Sequence, residues 1–264
     1  WGLSGWGLYV LMGMALAYFS YRHRLPLAIR SALYPLLGKR IHGPIGSAVD
    51  ITAVISTVFG IATSLGIGVM QLNYGLAYMF DVPESLSVQV ILIGLVVVLA
   101  TISVVSGVEK GIRRLSEFNM LLALALLLFV LFQGNTLALL DMMVNNAGDY
   151  LAGFVAKSFD TYAFAGDEAN EWKMWWTIFF WGWWIAWAPF VGIFIARVSR
   201  GRTIRQFITG VMLVPTLVGM IWFGVLGGSG IYRQLYGEGD LVTDGEVSPE
   251  GSLFTVLGDL PLGT

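Results

Sequence analysis

Six apolar stretches, each long enough to cross a bilayer, constrain this chain more than any other feature. A membrane-spanning helix needs roughly 20 mostly apolar residues, and six segments meet that requirement: residues 5–21, 46–78, 86–105, 117–134, 172–196 and 206–227. Charged residues make up 12% of the chain, whereas soluble domains carry about 25%. The sequence therefore predicts an all-α membrane protein with six transmembrane helices in a single domain over residues 1–264.

The basic residues indicate how these six spans cross the membrane. Twelve of the fifteen lysines and arginines lie in the loops that follow the first, third and fifth spans. Because basic residues favour the cytoplasmic side, these loops are predicted to be cytoplasmic, and the chain ends outside in an acidic loop over residues 228–264. The second span is too long for one straight crossing, so a tilt, a protrusion or a bend is expected. Four glycines are candidate positions for a bend, Gly60, Gly66, Gly68 and Gly75.

Two other segments are predicted to lie at the membrane surface. Residues 106–119 mix apolar and basic side chains, a pattern typical of an amphipathic cytoplasmic helix. Residues 136–171 start with apolar residues at helical spacing and continue with polar ones, which indicates a short outer helix followed by a loop. Asp50 comes at the start of the second span, where an acidic residue is favoured by the helix dipole, and it is interpreted as a cap rather than a proton relay.

Several classes of function are excluded by what the sequence lacks. The absence of cysteine excludes a disulfide-stapled fold, and a net charge of −2 excludes a simple nucleic-acid binder. Both histidines fall in one basic loop, so there is no HExxH metal motif. Without a GxSxG, P-loop or GxGxxG pattern either, the chain is predicted not to be an enzyme and to bind no cofactor, metal or nucleic acid.

Tryptophan is concentrated in the fifth span, in the segment WWTIFFWGWWIAW over residues 175–187. An interfacial aromatic belt explains its outer end, but Trp183, Trp184 and Trp187 lie 11–15 residues into the span. Helical spacing predicts one stripe on this span, formed by Trp176, Phe180, Trp183, Trp184 and Trp187. The stripe serves either helix packing or a cage for a quaternary ammonium ion, which attracts aromatic rings through its charge. The first span offers a second aromatic patch, Trp1, Trp6 and Tyr9.

Hydroxyl groups follow the second span at Thr52, Ser56, Thr57, Thr63 and Ser64. Such side chains commonly bond the carbonyl one turn earlier in their own helix. They are equally able to line a path for an ion or a substrate, and the residues alone leave both interpretations open.

At these residues the sequence resembles the betaine/choline/carnitine transporter (BCCT) family. The most specific match is WTIFFWGWWIAWAPFVGIFIARVSRGRTIRQF over residues 176–207. Supporting matches are residues 1–18, 49–76 and 100–119, and GVMQLNYGL, FDVPES and SGVEKGIRRLSEFN resemble the choline-transporter branch. The resemblance implies a twelve-span transporter with a LeuT-type inverted repeat, of which this chain would be a fragment covering spans four to nine. It also implies a multi-pass protein of the bacterial inner membrane and a homotrimer, with residues 106–119 near the trimer contact.

The resemblance also implies roles for particular residues. The family's box for the trimethylammonium group maps onto Trp1, Trp6, Tyr9 and Trp184, and Trp187 matches a contact to the other end of the substrate. Pathway and gate residues map onto Trp176, Phe179, Trp181 and Trp183, and Trp183 is also counted among the candidate substrate contacts. In sodium-coupled members a threonine pair and a phenylalanine bind one sodium ion, and here Thr57 and Phe190 match but Ile61 replaces the second threonine. Ser64 is a further candidate for ion coupling.

The sequence thus predicts an importer of a quaternary ammonium compound, with choline first and glycine betaine next, driven by a proton or Na⁺. Because Ile61 offers no oxygen ligand, the replacement favours a proton. Two alternatives stay open: a sodium-coupled transporter of glycine betaine or carnitine, and a membrane receptor for the same class of ligand. The lipid bilayer is the expected environment in every case.

Overall fold

The computed structural model describes residues 2–106, 111–243, 246–258 and 260. Trp1, one of the predicted box residues, lies outside the described residues. Six helical runs are long and apolar enough to cross a membrane: Gly2–His23, Pro44–Phe80, Leu86–Val105, Arg113–Gln133, Gly166–Val198 and Ile204–Tyr236. The predicted all-α class with six spans is confirmed, and the protein is a multi-pass membrane protein.

The helices follow the chain in a simple order. They are α1 (Gly2–His23), α2 (Ile29–Ala32), α3 (Tyr34–Leu37), α4 (Pro44–Phe80), α5 (Leu86–Val105), α6 (Arg113–Gln133), α7 (Thr136–Phe159), α8 (Gly166–Lys173), α9 (Phe180–Val198), α10 (Ile204–Trp222), α11 (Gly228–Tyr236) and α12 (Ser252–Gly258). A 3₁₀ turn covers Gly38–His42, and π-helical segments at Met174–Phe179 and Phe223–Gly227 join α8 to α9 and α10 to α11. In the described residues, β-structure is limited to the antiparallel pair β1 (Val242–Thr243) and β2 (Glu246–Val247).

The chain folds into two compact units, Trp1–Thr63 with Val155–Gly219 and Ser64–Phe154 with Met220–Thr264. The core of the first unit contains Tyr9 and Val10 of α1, Ala188 and Ile195 of α9, and Phe207 of α10. The core of the second contains Val130, Leu139 and Val225. Helices α4, α7 and α10 each contribute residues to both units, and the single domain over 1–264 stays a prediction.

Helix α4 runs without interruption over 37 residues, which at 1.5 Å per residue makes it about 55 Å long. Two of its glycines serve close contacts rather than a break in the helix. A methyl group on Gly60 would lie 3.3 Å from the indole nitrogen of Trp187, and one on Gly75 would overlap the ring of Phe254. Methyl groups on Gly66 and Gly68 would have no neighbour within 4 Å. Thr52, Thr57 and Thr63 each donate to the carbonyl four residues earlier, which was the structural alternative for these hydroxyls.

Three surface segments differ from the sequence prediction. The segment 136–171, predicted to be outer, contains the 24-residue helix α7, because Leu151, Val155 and Phe159 continue the helical spacing beyond the polar Asn145 and Asn146. The described part of segment 106–119 is not a separate helix: residues 113–119 form the first turns of α6, where Arg113 donates to Glu117 at 2.7 Å. Residues 107–110 of that segment lie outside the described residues.

The predicted outer acidic loop 228–264 contains two helices and a small hairpin. Arg233 of α11 donates from Nε and Nη2 to the two carboxylate oxygens of Asp240, each at 2.7 Å. This hydrogen bonding lowers the pKa of Asp240. Gln234 accepts the backbone N–H groups of Leu241 and Val242 and donates to the carbonyl of Gly239. The Gln234 amide therefore holds the turn at residues 239–242 in a defined conformation, within a segment that was predicted only as an acidic loop.

Asp50 caps a different helix from the one predicted. Because α4 begins at Pro44, Asp50 lies too far along it to bond its first N–H groups. Instead Asp50 Oδ1 accepts the backbone N–H of Arg30, the second residue of α2, at 2.9 Å. Its Oδ2 lies 3.3 Å from Arg30 Nε. The carboxylate therefore caps α2, whose own N-cap Ala28 makes no side-chain hydrogen bond.

We expect Asp50→Ala to destabilise the protein by about 1–2 kcal/mol, the usual cost of losing a helix cap. The measurement is thermal unfolding of the detergent-purified full-length protein. Asp149→Ala, which removes an exposed carboxylate on α7, is the matched control and should change stability little. Equal melting temperatures for the two variants would contradict the assignment of Asp50 as the cap of α2.

Candidate functional site

Helices α1 and α9 pack closely because glycines remove side chains where the two backbones approach. A methyl group on Gly13 of α1 would lie 3.4 Å from the carbonyl oxygen of Gly192 of α9, and one on Gly192 would overlap Met12. Near the C-terminal ends of both helices, the Tyr21 hydroxyl donates to the carbonyl of Ala196 at 2.9 Å. These contacts hold the aromatic residues of the two helices in a fixed register.

Three of the predicted box residues come together on this pair of helices. The ring centroids of Tyr9 and Trp184 are 4.6 Å apart at an interplanar angle of 36°. Trp6 lies 5.4 Å from Tyr9 and 5.5 Å from Trp184, at 82° to each. We call this group of rings the aromatic corner (Trp6, Tyr9 and Trp184). The Trp6 ring is nearly perpendicular to the other two rings, and this arrangement would allow a compact cation to contact more than one aromatic ring.

The chemistry of the corner favours a positively charged group without hydrogen-bond donors. A cation is attracted to an aromatic ring when it lies within about 6 Å of the centroid. Residues 2–21 of α1 and 174–195 around α9 contain no charged side chain, so the ring faces of the corner are its main feature able to attract a cation. Since the three rings contact one another, a ligand would lie against the corner rather than between its members.

Trp187 lies one turn further along α9 than the corner. It packs against the core of the first unit and against Gly60 of α4. Its ring centroid is 5.8 Å from that of Phe190 at 73°. The predicted contact to the other end of the substrate is thus close to the α4 segment that carries Thr57.

The aromatic residues of the fifth span make ring contacts along two rows, and the single stripe stays a prediction. The span starts with the π-helical segment Met174–Phe179, and the regular helix α9 begins at Phe180. One row is Trp175, Phe179 and Trp183, with centroids 5.8 Å apart at each step. In the other, Phe180 lies 5.9 Å from Trp184. Trp183 therefore contacts the gate candidate Phe179.

The remaining pathway candidates occupy two different surfaces. Trp176 is 53% exposed, on the π-helical segment. Trp181 lines an apolar groove of about 440 Å³ together with Leu8 and Leu11 of α1 and Met212 of α10.

The ion-coupling candidates offer few oxygen ligands. Thr57 Oγ1 donates to the Ala53 carbonyl at 2.9 Å, and one turn later Ile61 presents an apolar side chain that is 46% exposed. Phe190 is 52% exposed, and Ser64 belongs to the second unit. Among the described residues, no group of three or more histidine or acidic side chains is arranged to hold a metal ion.

The sequence profile of the BCCT, betaine/carnitine/choline family transporters, matches residues 1–264. The chain belongs to this family. It is 54% identical over its full length to the high-affinity choline transport protein of Escherichia coli K12. It is 51% identical over 99% of its length to an osmo-dependent choline transporter of Acinetobacter baylyi, and 48% identical over 99% to a glycine betaine transporter of the same organism.

The chain spans only part of these relatives. It covers 39% of the length of the Escherichia coli protein, 38% of the choline transporter and 39% of the glycine betaine transporter of Acinetobacter baylyi. The family match therefore concerns residues 1–264, which correspond to less than half of each of these transporters.

Two residues that support the site were not identified from the sequence as contributing to it. Gly5 lies directly beneath Trp184, and Gly60 lies against Trp187. The available signal was the spacing of Gly5 and Tyr9, which are four residues apart and so share one face of α1. Gly60 was predicted only as a candidate position for a bend, and Gly5 had no predicted role.

Proposed function

We propose that the full-length transporter containing this chain imports a quaternary ammonium compound, with choline first and glycine betaine second. The observation that carries the proposal is the aromatic corner, whose three rings contact one another and belong to segments of α1 and α9 without charged residues. The names of the similar proteins, two choline transporters and a glycine betaine transporter, support the substrate class.

Recognition would rest on cation–π attraction. Each well-placed ring contributes about 0.5–2 kcal/mol, so Trp6, Tyr9 and Trp184 together provide a sizeable share of a micromolar affinity, which corresponds to about 8 kcal/mol. Trp1 would add a further ring. Trp187, beside α4, would contact the end of the substrate that distinguishes choline from glycine betaine.

Transport would proceed by alternating access within a LeuT-type inverted repeat. Trp176, Phe179, Trp181 and Trp183 would line the pathway and its gates. A proton is the proposed coupling ion, because Ile61 leaves Thr57, Phe190 and Ser64 without a second threonine oxygen. A homotrimer in the bacterial inner membrane is the proposed assembly, and no enzymatic activity is proposed.

The test is uptake of labelled choline by cells that express the full-length transporter, with unlabelled glycine betaine as competitor. We expect saturable choline uptake that glycine betaine inhibits only at higher concentration. Cells with equal surface expression of the protein but no uptake of either compound would contradict the transporter proposal. Binding without uptake would support the receptor alternative, and stronger inhibition by glycine betaine would reverse the order of substrates.

A further inference from the structure

Gly5 of α1 is buried beneath the indole of Trp184. A methyl group on Gly5 would lie 2.8 Å from the ring atoms Cε2 and Cζ2 of Trp184 and 2.9 Å from Cδ2. Because these three atoms are nearly equidistant from one point, the flat face of the ring covers Gly5. The Trp184 ring therefore occupies the space that a side chain at position 5 would need.

Neighbouring groups prevent the Trp184 ring from retreating without loss of contacts. Tyr9 lies 4.6 Å away, Trp6 lies 5.5 Å away and Phe180 lies 5.9 Å away, measured between ring centroids. Trp184 also packs against the buried core of the first unit. A ring that moved away from Gly5 would have to change its distance or angle to at least one other ring of the corner.

We propose that Gly5 is a positioning residue for substrate binding, because it sets the depth at which Trp184 lies against α1 and so the geometry of the aromatic corner. This inference rests on the proposed function. Gly5 would act only through Trp184, at the end of the site that receives the trimethylammonium group. Choline and glycine betaine share that group, so a change at Gly5 should weaken the binding of both to a similar extent.

The test compares Gly5→Ala with Gly7→Ala in the full-length transporter. Alanine is the better helix former, and a methyl group on Gly7 would have no neighbour within 4 Å, so Gly7→Ala is a matched control. For Gly5→Ala we expect KM for choline to rise by about tenfold while the maximal rate per surface transporter is kept, since misplacing an aromatic ring costs affinity. Gly7→Ala should leave KM unchanged.

A second substitution identifies the cause. A phenyl ring is smaller than an indole, so Gly5→Ala combined with Trp184→Phe should bind choline at least as well as Gly5→Ala alone. If Gly5→Ala does not fold, recovery of folded protein in the double variant supports the same contact. Failure of the double variant to recover either folding or affinity would overturn the proposal. So would a wild-type KM for Gly5→Ala, or a loss of folded transporter at unchanged KM.

One readout does not depend on the substrate. The near-ultraviolet circular dichroism of the purified protein reports the packing of Trp184 against Trp6 and Tyr9, and Trp184→Phe defines that contribution. Gly5→Ala should change the same spectral bands and Gly7→Ala should not. If the wild-type protein takes up no choline, the proposed function fails, and this spectrum still tests whether Gly5 sets the position of Trp184: changed bands support that contact and unchanged bands contradict it.

Discussion

Replacing Trp184 by leucine should raise the Kd for choline by about 10- to 30-fold, the loss expected for a ring that contributes up to about 2 kcal/mol of cation–π attraction. Trp184 is the member of the corner that contacts both Trp6 and Tyr9 from the opposite helix. Leucine keeps an apolar side chain against the core of the first unit, so folding should be largely retained. The measurement is choline binding to the purified full-length transporter.

Trp222→Leu supplies the matched control for this substitution. Trp222 ends α10 and is not part of the aromatic corner or the predicted pathway, so the same chemical change there should leave the Kd for choline close to the wild-type value. Unchanged affinity in the Trp184→Leu variant would show that the ring serves helix packing, the alternative that the sequence left open. An equal loss in both variants would indicate a general effect on folding.

The number and positions of the spans could be predicted because they depend on local composition. Each span is a continuous run of apolar residues. Clusters of basic residues mark the loops between spans, as in Arg22–Arg40 and Arg197–Arg205. The six candidate spans of the structure contain or nearly contain the predicted ones. The length of α7 was harder to predict because Asn145 and Asn146 resemble a loop signal, although exposed polar residues are compatible with a surface helix.

The candidate site was only partly predictable, because its geometry depends on two helices that are distant in sequence. The residue types of Trp6, Tyr9 and Trp184 indicated an aromatic cage, and the structure brings these three rings into contact. Helical periodicity predicted that Phe180 and Trp184 share a face, and their ring centroids lie 5.9 Å apart. The role of Gly5 could not be predicted, because the sequence does not show which distant side chain will pack over a glycine.

The coupling ion leads to the second prediction with a large expected effect. Sodium is a hard cation that needs several oxygen ligands, and along α4 the Thr57 hydroxyl is followed one turn later by the hydrocarbon side chain of Ile61. We expect choline uptake by the full-length transporter to persist when potassium replaces sodium in the medium. A protonophore should reduce uptake to the level of cells that lack the transporter.

Ile61→Thr tests whether this single position separates the two modes of coupling. The new hydroxyl would lie one turn from Thr57 on the same face of α4, and uptake should become stimulated by sodium. Ile55→Thr is the matched control, because Ile55 lies on the same helix and is 51% exposed compared with 46% for Ile61. Wild-type uptake that requires sodium and survives a protonophore would contradict proton coupling. Equal sodium stimulation in both threonine variants would show that position 61 has no special role. Sodium stimulation confined to Ile61→Thr would instead place the missing ligand of the sodium site at that position.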